Sequence, residues 1–140
     1  MGDYAASGGV YISTPADYIF AHPTTITGSI GVAIAFLTTE DSLEYIGISK
    51  DGVQTSKFAG WTPELPVTEE LDNIFNNLAE RSYQRFLEVV SESRKKDVSE
   101  INKIAGGRVW IGTDALQIDI IDELGDLSLI HISEPTRLRS

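Results

Sequence analysis

The chain contains no cysteine and only two histidines, His22 and His131, among its 140 residues. The lack of cysteine excludes disulfides, zinc–thiolate sites and a cysteine nucleophile. Two histidines nearly exclude a multi-histidine metal site. We expect no metal and no cofactor, so any chemistry must come from hydroxyls, carboxylates, lysines or backbone amides.

Basic residues and long apolar runs are also scarce. Eleven Lys and Arg residues face 21 Asp and Glu, a net charge of −10, which argues against a nucleic-acid partner. No segment approaches the ~18–20 unbroken apolar residues of a membrane span, and no signal peptide opens the chain. Hydrophobic residues make up 41% of the sequence, which is enough to build the core of one ordinary domain.

Short apolar segments alternate with helical patterns in the first half of the chain. We predict no strand before the first helix, which ends at Thr14-Pro15 because a residue before proline avoids the helical region. The predicted elements are a helix over 6–13, strands over 18–21 and 30–37 with a tight turn at Thr27-Gly28-Ser29 between them, a helix capped by Thr39 and ending at Tyr45, a strand over 53–58, and a loop over 59–66.

The longest predicted helix covers residues 68–95, with Thr68 as its N-cap. Its apolar stripe predicts one buried face and consists of Leu71, Phe75, Leu78, Phe86, Val89 and Val90. Asp97 to Glu100 resembles a capping box that opens a helix ended by Gly106-Gly107. A strand over 109–111 and a short helix capped by Thr113 follow. Strands alternating with helices predict an α/β fold.

The C-terminal tail differs from the rest of the chain. Residues 127–137 resemble the translation of a sequencing-library adapter that was read through at the end of a contig. We therefore exclude residues 127–140 from fold reasoning, and His131 with them. The interpretable domain covers residues 1–126.

Ser7 is the most informative residue for chemistry, because it stands among small residues in Ala5-Ala6-Ser7-Gly8-Gly9. Small neighbours let another backbone approach its hydroxyl. A serine at the start of a helix also has free backbone N–H groups beside it, which can stabilise an oxyanion. The alternative is that Ser7 only caps a tightly packed helix.

Four ordered motifs carry a family resemblance. They are residues 1–17, residues 27–32, the segment Gly106-Gly107-Arg108-Val109-Trp110-Ile111-Gly112, and Ile121-Asp122-Glu123-Leu124-Gly125. Together they resemble the bacterial signal peptide peptidase A (protease IV) family, peptidase family S49. The resemblance implies a Clp protease/crotonase-like spiral. It also implies an oligomeric serine protease, anchored in the inner membrane with its catalytic domain outside the cytoplasm, that degrades cleaved signal peptides or other extended hydrophobic peptides.

The resemblance assigns roles to individual residues. Ser7 matches the nucleophile, and Gly8 supplies one oxyanion-hole N–H. Ser29 matches the hydroxyl that positions the general base. The alternative for Ser29 is a turn serine that bonds its own backbone.

The general base is where this chain departs from the family, which uses a lysine that must be neutral to accept the serine proton. The matching position here is about Gly60, and Lys57 is a weak candidate three residues earlier. Double-length members carry the lysine in their N-terminal half. We therefore expect this chain to be a C-terminal half, incomplete at its N-terminus, that lacks the membrane anchor, its lysine-bearing partner half and the strand before Ser7.

Two other groups could carry chemistry. A Ser–His pair with His22 is conceivable, but a solvated loop histidine is the preferred interpretation. A run of acidic residues is expected to be a solvated face, with cation binding as the alternative, and consists of Asp114, Asp119, Asp122, Glu123 and Asp126.

Two alternatives to a serine endopeptidase stay open. One is a crotonase-type acyl-CoA enzyme, in which an oxyanion hole holds a thioester, although such enzymes need no serine at position 7. The other is a non-catalytic half that supports assembly. Whichever holds for the parent protein, we expect this chain alone to be inactive.

Overall fold

The computed structural model describes residues 1–56, 59–126 and 128, which form two compact units. The first unit consists of Met1–Val32 together with the chain from Ser82 onward, and the second is Ala33–Arg81. In chain order, the elements are β1 (Tyr4–Ala6), α1 (Gly8–Ser13), β2 (Phe20–Ala21), β3 (Ile26–Gly28), α2 (Glu40–Tyr45), α3 (Glu69–Arg94), α4 (Val98–Ile104), β4 (Val109–Ile111), α5 (Gly112–Gln117) and β5 (Glu123–Leu124). This mixture confirms the predicted α/β class.

Two small sheets organise the first unit. The larger sheet has the order β1-β3-β4, in which β1 and β3 are parallel and β3 and β4 are antiparallel. In the second sheet, β2 pairs with β5 in parallel. The parallel register of the larger sheet sets Ala5 opposite Thr27 and Ala6 opposite Gly28. The carboxyl ends of β1 and β3 therefore lie side by side.

Several strand predictions are wrong. A strand, β1, does precede Ser7, and Thr27-Gly28 belongs to β3 instead of a turn. No strand forms over 30–37 or over 53–56, while Lys57 and Phe58 lie outside the described residues. Apolar runs form strands only where a neighbouring backbone pairs with them in a continuous ladder, and among the described residues neither segment joins such a ladder.

The long helix is predicted well, and its cap is confirmed. The Leu71 N–H donates to Thr68 Oγ1 at 3.3 Å, directly before α3. Thr39 and Asp97 stand at the predicted N-cap positions of α2 and α4, but neither makes a side-chain capping bond. At α5 the prediction is wrong, because Ile111 instead of Thr113 stands at the N-cap.

The core of the first unit joins α1, α3, α4 and α5 to the sheets. Its buried apolar side chains are Val10, Ile19, Ala21, Ile30, Phe86, Leu87, Val90, Ile101, Ala105, Ala115, Ile120 and Ile121. The ring of Phe86 also meets Tyr11 of α1 edge-on, at 5.1 Å between centroids. Phe86 therefore links α3 to the helix that follows Ser7.

In the second unit, aromatic side chains pack around the first half of α3. Phe36 contacts Phe75 and Trp61, at 4.3 and 5.5 Å between ring centroids. Phe75 is half-buried and Leu78 is exposed, so the predicted stripe is buried along only part of its length.

Replacing Phe86 by alanine is expected to cost about 3–5 kcal/mol of unfolding free energy, because the buried ring leaves a cavity. Phe75→Ala, at a half-buried site, is expected to cost less. Urea denaturation of this chain measures both values. Equal losses would show that Phe75 is as deeply packed as Phe86.

Asp122 does not belong to a solvated face, contrary to expectation. Its carboxylate accepts two hydrogen bonds from the Arg94 guanidinium, at 2.7 and 3.3 Å, and one from the Ile19 N–H at 2.7 Å. The Arg94 side chain is only 11% exposed. Since Arg94 ends α3 and Ile19 precedes β2, this carboxylate holds three separated segments together.

Acidification is expected to weaken the first unit through Asp122. Burial raises the pKa of this carboxyl, but the hydrogen bonds from Arg94 and Ile19 outweigh it and hold the pKa below its ordinary value of 3.8. A depressed folded-state pKa stabilises the fold above about pH 4, and this contribution is lost as the pH falls through the folded-state value. Asp122→Asn should therefore cost about 2 kcal/mol at pH 7 and flatten the acid limb of a stability–pH curve. An unchanged curve would remove Asp122 from the acid response.

None of the helices in the described part of the chain combines the length and the apolar character that a bilayer crossing requires.

Candidate active site

Ser7 occupies a sharp turn between β1 and α1. Its backbone has φ 52° and ψ −112°, a conformation that L-residues rarely adopt and that costs about 1–3 kcal/mol. The Ser7 side chain makes no capping hydrogen bond to α1 and is half-buried. Its hydroxyl is therefore available for chemistry, which argues against the alternative that Ser7 is only a cap.

Neighbouring backbone holds this turn in place. The Ser7 N–H donates to the Gly28 carbonyl oxygen of β3 at 2.8 Å, and the Tyr11 N–H donates to the Ser7 carbonyl oxygen at 3.0 Å. The first bond fixes the turn to the adjacent strand, and the second begins the hydrogen-bonding ladder of α1. A strained residue persists where its surroundings determine it in this way.

Ser29 lies beside Ser7 at the same edge of the sheet. Ala6 is opposite Gly28, so each serine is the first residue after a paired position on adjacent parallel strands. Such strands run about 4.8 Å apart. Ser29 is half-buried and also has a positive φ, 51°. The structure thus brings together the two serines that the sequence singled out.

Backbone from the third motif closes the far side of Ser29. The Ser29 N–H donates to the Arg108 carbonyl oxygen at 2.6 Å, and the Gly107 N–H donates to the Ile30 carbonyl oxygen at 3.0 Å. A Cβ at Gly28 would lie 2.6 Å from Trp110 Cδ1, so only glycine fits there. Sequence reasoning used this motif as a helix end, a strand and a family marker but did not predict its contact with Ser29; Gly28 was the available signal of close backbone contact.

Gly8 follows Ser7 and opens α1. It is exposed, and a Cβ built on it would meet no atom within 4 Å. The first N–H groups of a helix have no acceptor within the helix. A substrate carbonyl can therefore approach the Gly8 N–H next to the Ser7 hydroxyl.

The structure describes one of the two candidate bases, His22. Lys57 lies outside the described residues, as does His131. Gly60, the position that the resemblance matches to the lysine, is an exposed turn glycine with φ +82°. His22 is exposed, contacts Thr24 Oγ1 at 2.9 Å through Nδ1, and precedes β3. Since Ser29 follows β3, roughly 10 Å of strand separates the two ends.

A serine at positive φ on a strand-to-helix turn is a feature that this chain shares with the nucleophile turn of α/β-hydrolases. The sequence profile of peptidase family S49 matches residues 1–131. The chain belongs to peptidase family S49.

Known proteins resemble this chain over most of its length. It is 43% identical over 128 residues to Protease 4 of Haemophilus influenzae, covering 91% of this chain and 21% of that protein. It is 44% identical over 126 residues to Protease 4 of Salmonella typhi, covering 90% and 20%. The putative signal peptide peptidase SppA of Enterococcus faecium is 34% identical over 122 residues, covering 86% and 36%. The chain thus spans only about a fifth of the two Protease 4 sequences.

Proposed function

We propose that this chain supplies the nucleophile of a serine endopeptidase. The observation that carries the proposal is the strained turn at Ser7, held beside Ser29 on the adjacent parallel strand. Membership of peptidase family S49 and relatives named Protease 4 support the same chemistry. The Ser7 hydroxyl is a nucleophilic group on a strained turn, and it makes no capping hydrogen bond to α1.

In the proposed reaction, Ser7 Oγ attacks the carbonyl carbon of a peptide bond and gives its proton to a neutral lysine amine. The carbonyl oxygen becomes an oxyanion that accepts a hydrogen bond from the Gly8 N–H. When the intermediate collapses, the C–N bond breaks and the lysine returns the proton to the leaving amine. Water then attacks the acyl-enzyme by the same route and releases Ser7.

We place the lysine of this Ser–Lys dyad outside this chain, in an N-terminal half of a longer polypeptide. Support comes from the Protease 4 relatives, of which this chain covers 20–21%. We assign to the Ser29 hydroxyl, on the strand adjacent to Ser7, the hydrogen bond to the incoming amine. A bond that supports the neutral amine lowers the lysine pKa toward working pH.

The proposed substrates are cleaved signal peptides or other extended hydrophobic peptides. The name of the Enterococcus faecium relative supports the first of these. The open space beside Gly8 supports an extended backbone lying along this edge. We further propose that the parent protease is an oligomer, anchored in a bacterial envelope membrane with this domain outside the cytoplasm.

A peptidase assay on two proteins tests the proposal. One is this chain alone; the other is a chimaera in which residues 1–126 replace the matching segment of Haemophilus influenzae Protease 4. We expect activity in the chimaera and none in the chain alone, because a serine without its base is a poor nucleophile. Activity of the chain alone would mean that the general base lies within this chain, with Lys57 and His22 as the candidates. An inactive chimaera would favour a non-catalytic half, and thioester turnover would favour the acyl-CoA enzyme.

Ser29→Ala in the chimaera is expected to lower kcat and move the rising limb of the pH–rate profile to higher pH. Without the Ser29 hydroxyl, the neutral lysine loses a hydrogen bond, so a higher pH is needed to deprotonate it. Steady-state rates between pH 6 and 10 measure both effects. An unchanged rate and profile would leave Ser29 as a turn residue only.

A further inference from the structure

Two fully buried threonines join the segment before Ser7 to the β3 region, and their contacts differ in one respect. Thr25 and Thr27 are both 0% exposed. Thr25 Oγ1 donates to the Gly2 carbonyl oxygen at 2.8 Å, before β1 begins. Thr27 Oγ1 donates to the Ala5 carbonyl oxygen at 2.9 Å, two residues before Ser7. The Thr25 bond therefore holds the segment before β1, and the Thr27 bond holds β1 itself, close to Ser7.

The Thr27 bond is adjacent to the backbone hydrogen bond that holds the strained turn at Ser7. Thr27 is opposite Ala5 in the parallel register, and the next residue, Gly28, accepts the Ser7 N–H at 2.8 Å. The residue after that is Ser29. Thr27 Oγ1 also lies 3.6 Å from Met1 Sδ, a weak acceptor that competes poorly with a backbone carbonyl.

We propose that Thr27 is a positioning residue for the Ser7 nucleophile, an inference that rests on the proposed function. The Thr27 hydroxyl holds the Ala5 carbonyl through a side-chain hydrogen bond, and the Gly28 carbonyl holds the Ser7 N–H through a backbone hydrogen bond. A residue at an unfavourable φ relaxes when one of its restraints is removed. Losing the Thr27 hydroxyl therefore lets Ser7 Oγ drift from the attacking position, and a displacement of about 1 Å costs up to ~10²-fold in rate.

The test compares Thr27→Val with Thr25→Val in the chimaera defined above. Both changes remove one buried hydroxyl and its single backbone bond and keep a β-branched side chain. Thr27→Val is expected to lower kcat about 10- to 100-fold with KM within about twofold of the unmutated protein. Thr25→Val is expected to leave kcat within about twofold. Thr27→Ser, which keeps the hydroxyl, should restore most of the rate.

Thermal unfolding of the same variants shows whether a loss of kcat comes from a loss of stability. Equal loss of kcat in both valine variants, or failure of Thr27→Ser to restore the rate, would overturn the positioning role. Full activity of Thr27→Val would overturn it as well. If the unmutated chimaera does not react at Ser7 with a fluorophosphonate, the proposed function itself fails, and that result is distinct from the others.

The chain alone provides a readout that needs no activity. The ¹³Cα and ¹³Cβ chemical shifts of Ser7 report its φ and ψ. We expect Thr27→Val to move these shifts toward ordinary backbone values, and Thr25→Val to leave them unchanged. Identical Ser7 shifts in all three proteins would contradict the inference.

Discussion

Ser7→Ala in the chimaera is expected to lower kcat by about 10³- to 10⁶-fold, which is the cost of removing the atom that forms the acyl bond. Peptide binding should stay within about twofold, because one oxygen is lost and little contact area changes. Turnover is measured with a fluorogenic peptide, and binding is measured by anisotropy of a labelled peptide under the same conditions.

Ser13→Ala is the matched control for this substitution. Ser13 ends α1, the helix that Ser7 precedes, and its hydroxyl donates back to the Gly9 carbonyl oxygen at 2.7 Å. It should retain turnover. Equal loss in both variants would mean that damage to α1, and not removal of a nucleophile, explains the effect of Ser7→Ala.

Gly28→Ala is expected to be strongly destabilising. A Cβ there would lie 2.6 Å from Trp110 Cδ1 and 2.8 Å from the Arg108 carbonyl oxygen, in a backbone with φ +81°. Both the steric overlap and the left-handed backbone oppose it, at a combined cost of about 3–5 kcal/mol of unfolding free energy. Urea denaturation of this chain measures the loss.

Gly106→Ala separates these two causes. Gly106 has φ +69°, but a Cβ built on it meets no atom within 4 Å. Only the backbone term remains, about 1–2 kcal/mol. If Gly28→Ala costs no more than Gly106→Ala, the close approach of β3 to β4 does not constrain residue 28.

The long helix was predictable because its signals are local. A Thr68 cap, acidic residues in the first turn and an apolar stripe lie within one continuous segment, and α3 follows it closely. Strands were harder, because a strand forms only where a partner backbone lies beside it. Residues 30–37 have the composition of a strand but join no strand ladder within the described part of the chain, whereas Tyr4–Ala6 pairs with β3 although its composition gives little sign of a strand.

The sequence names the residues of the candidate site but not their geometry. Ser7 is singled out by its small neighbours and by the motif resemblance, and Ser29 by the resemblance alone. The proximity of the two depends on the register of Ala6 against Gly28, which no local pattern encodes. The same limit explains the error at Asp122. Its partner Arg94 lies 28 residues away and ends another element, so a run of acidic residues gave no sign of the contact.

Mapping a covalent adduct tests the central claim, that Ser7 is the nucleophile, most directly. The chimaera is treated with a fluorophosphonate, digested and analysed by tandem mass spectrometry. The proposed site predicts one phosphonylated residue, Ser7, and no labelling of the Ser7→Ala variant. An adduct on a different residue, or labelling that survives Ser7→Ala, would contradict it.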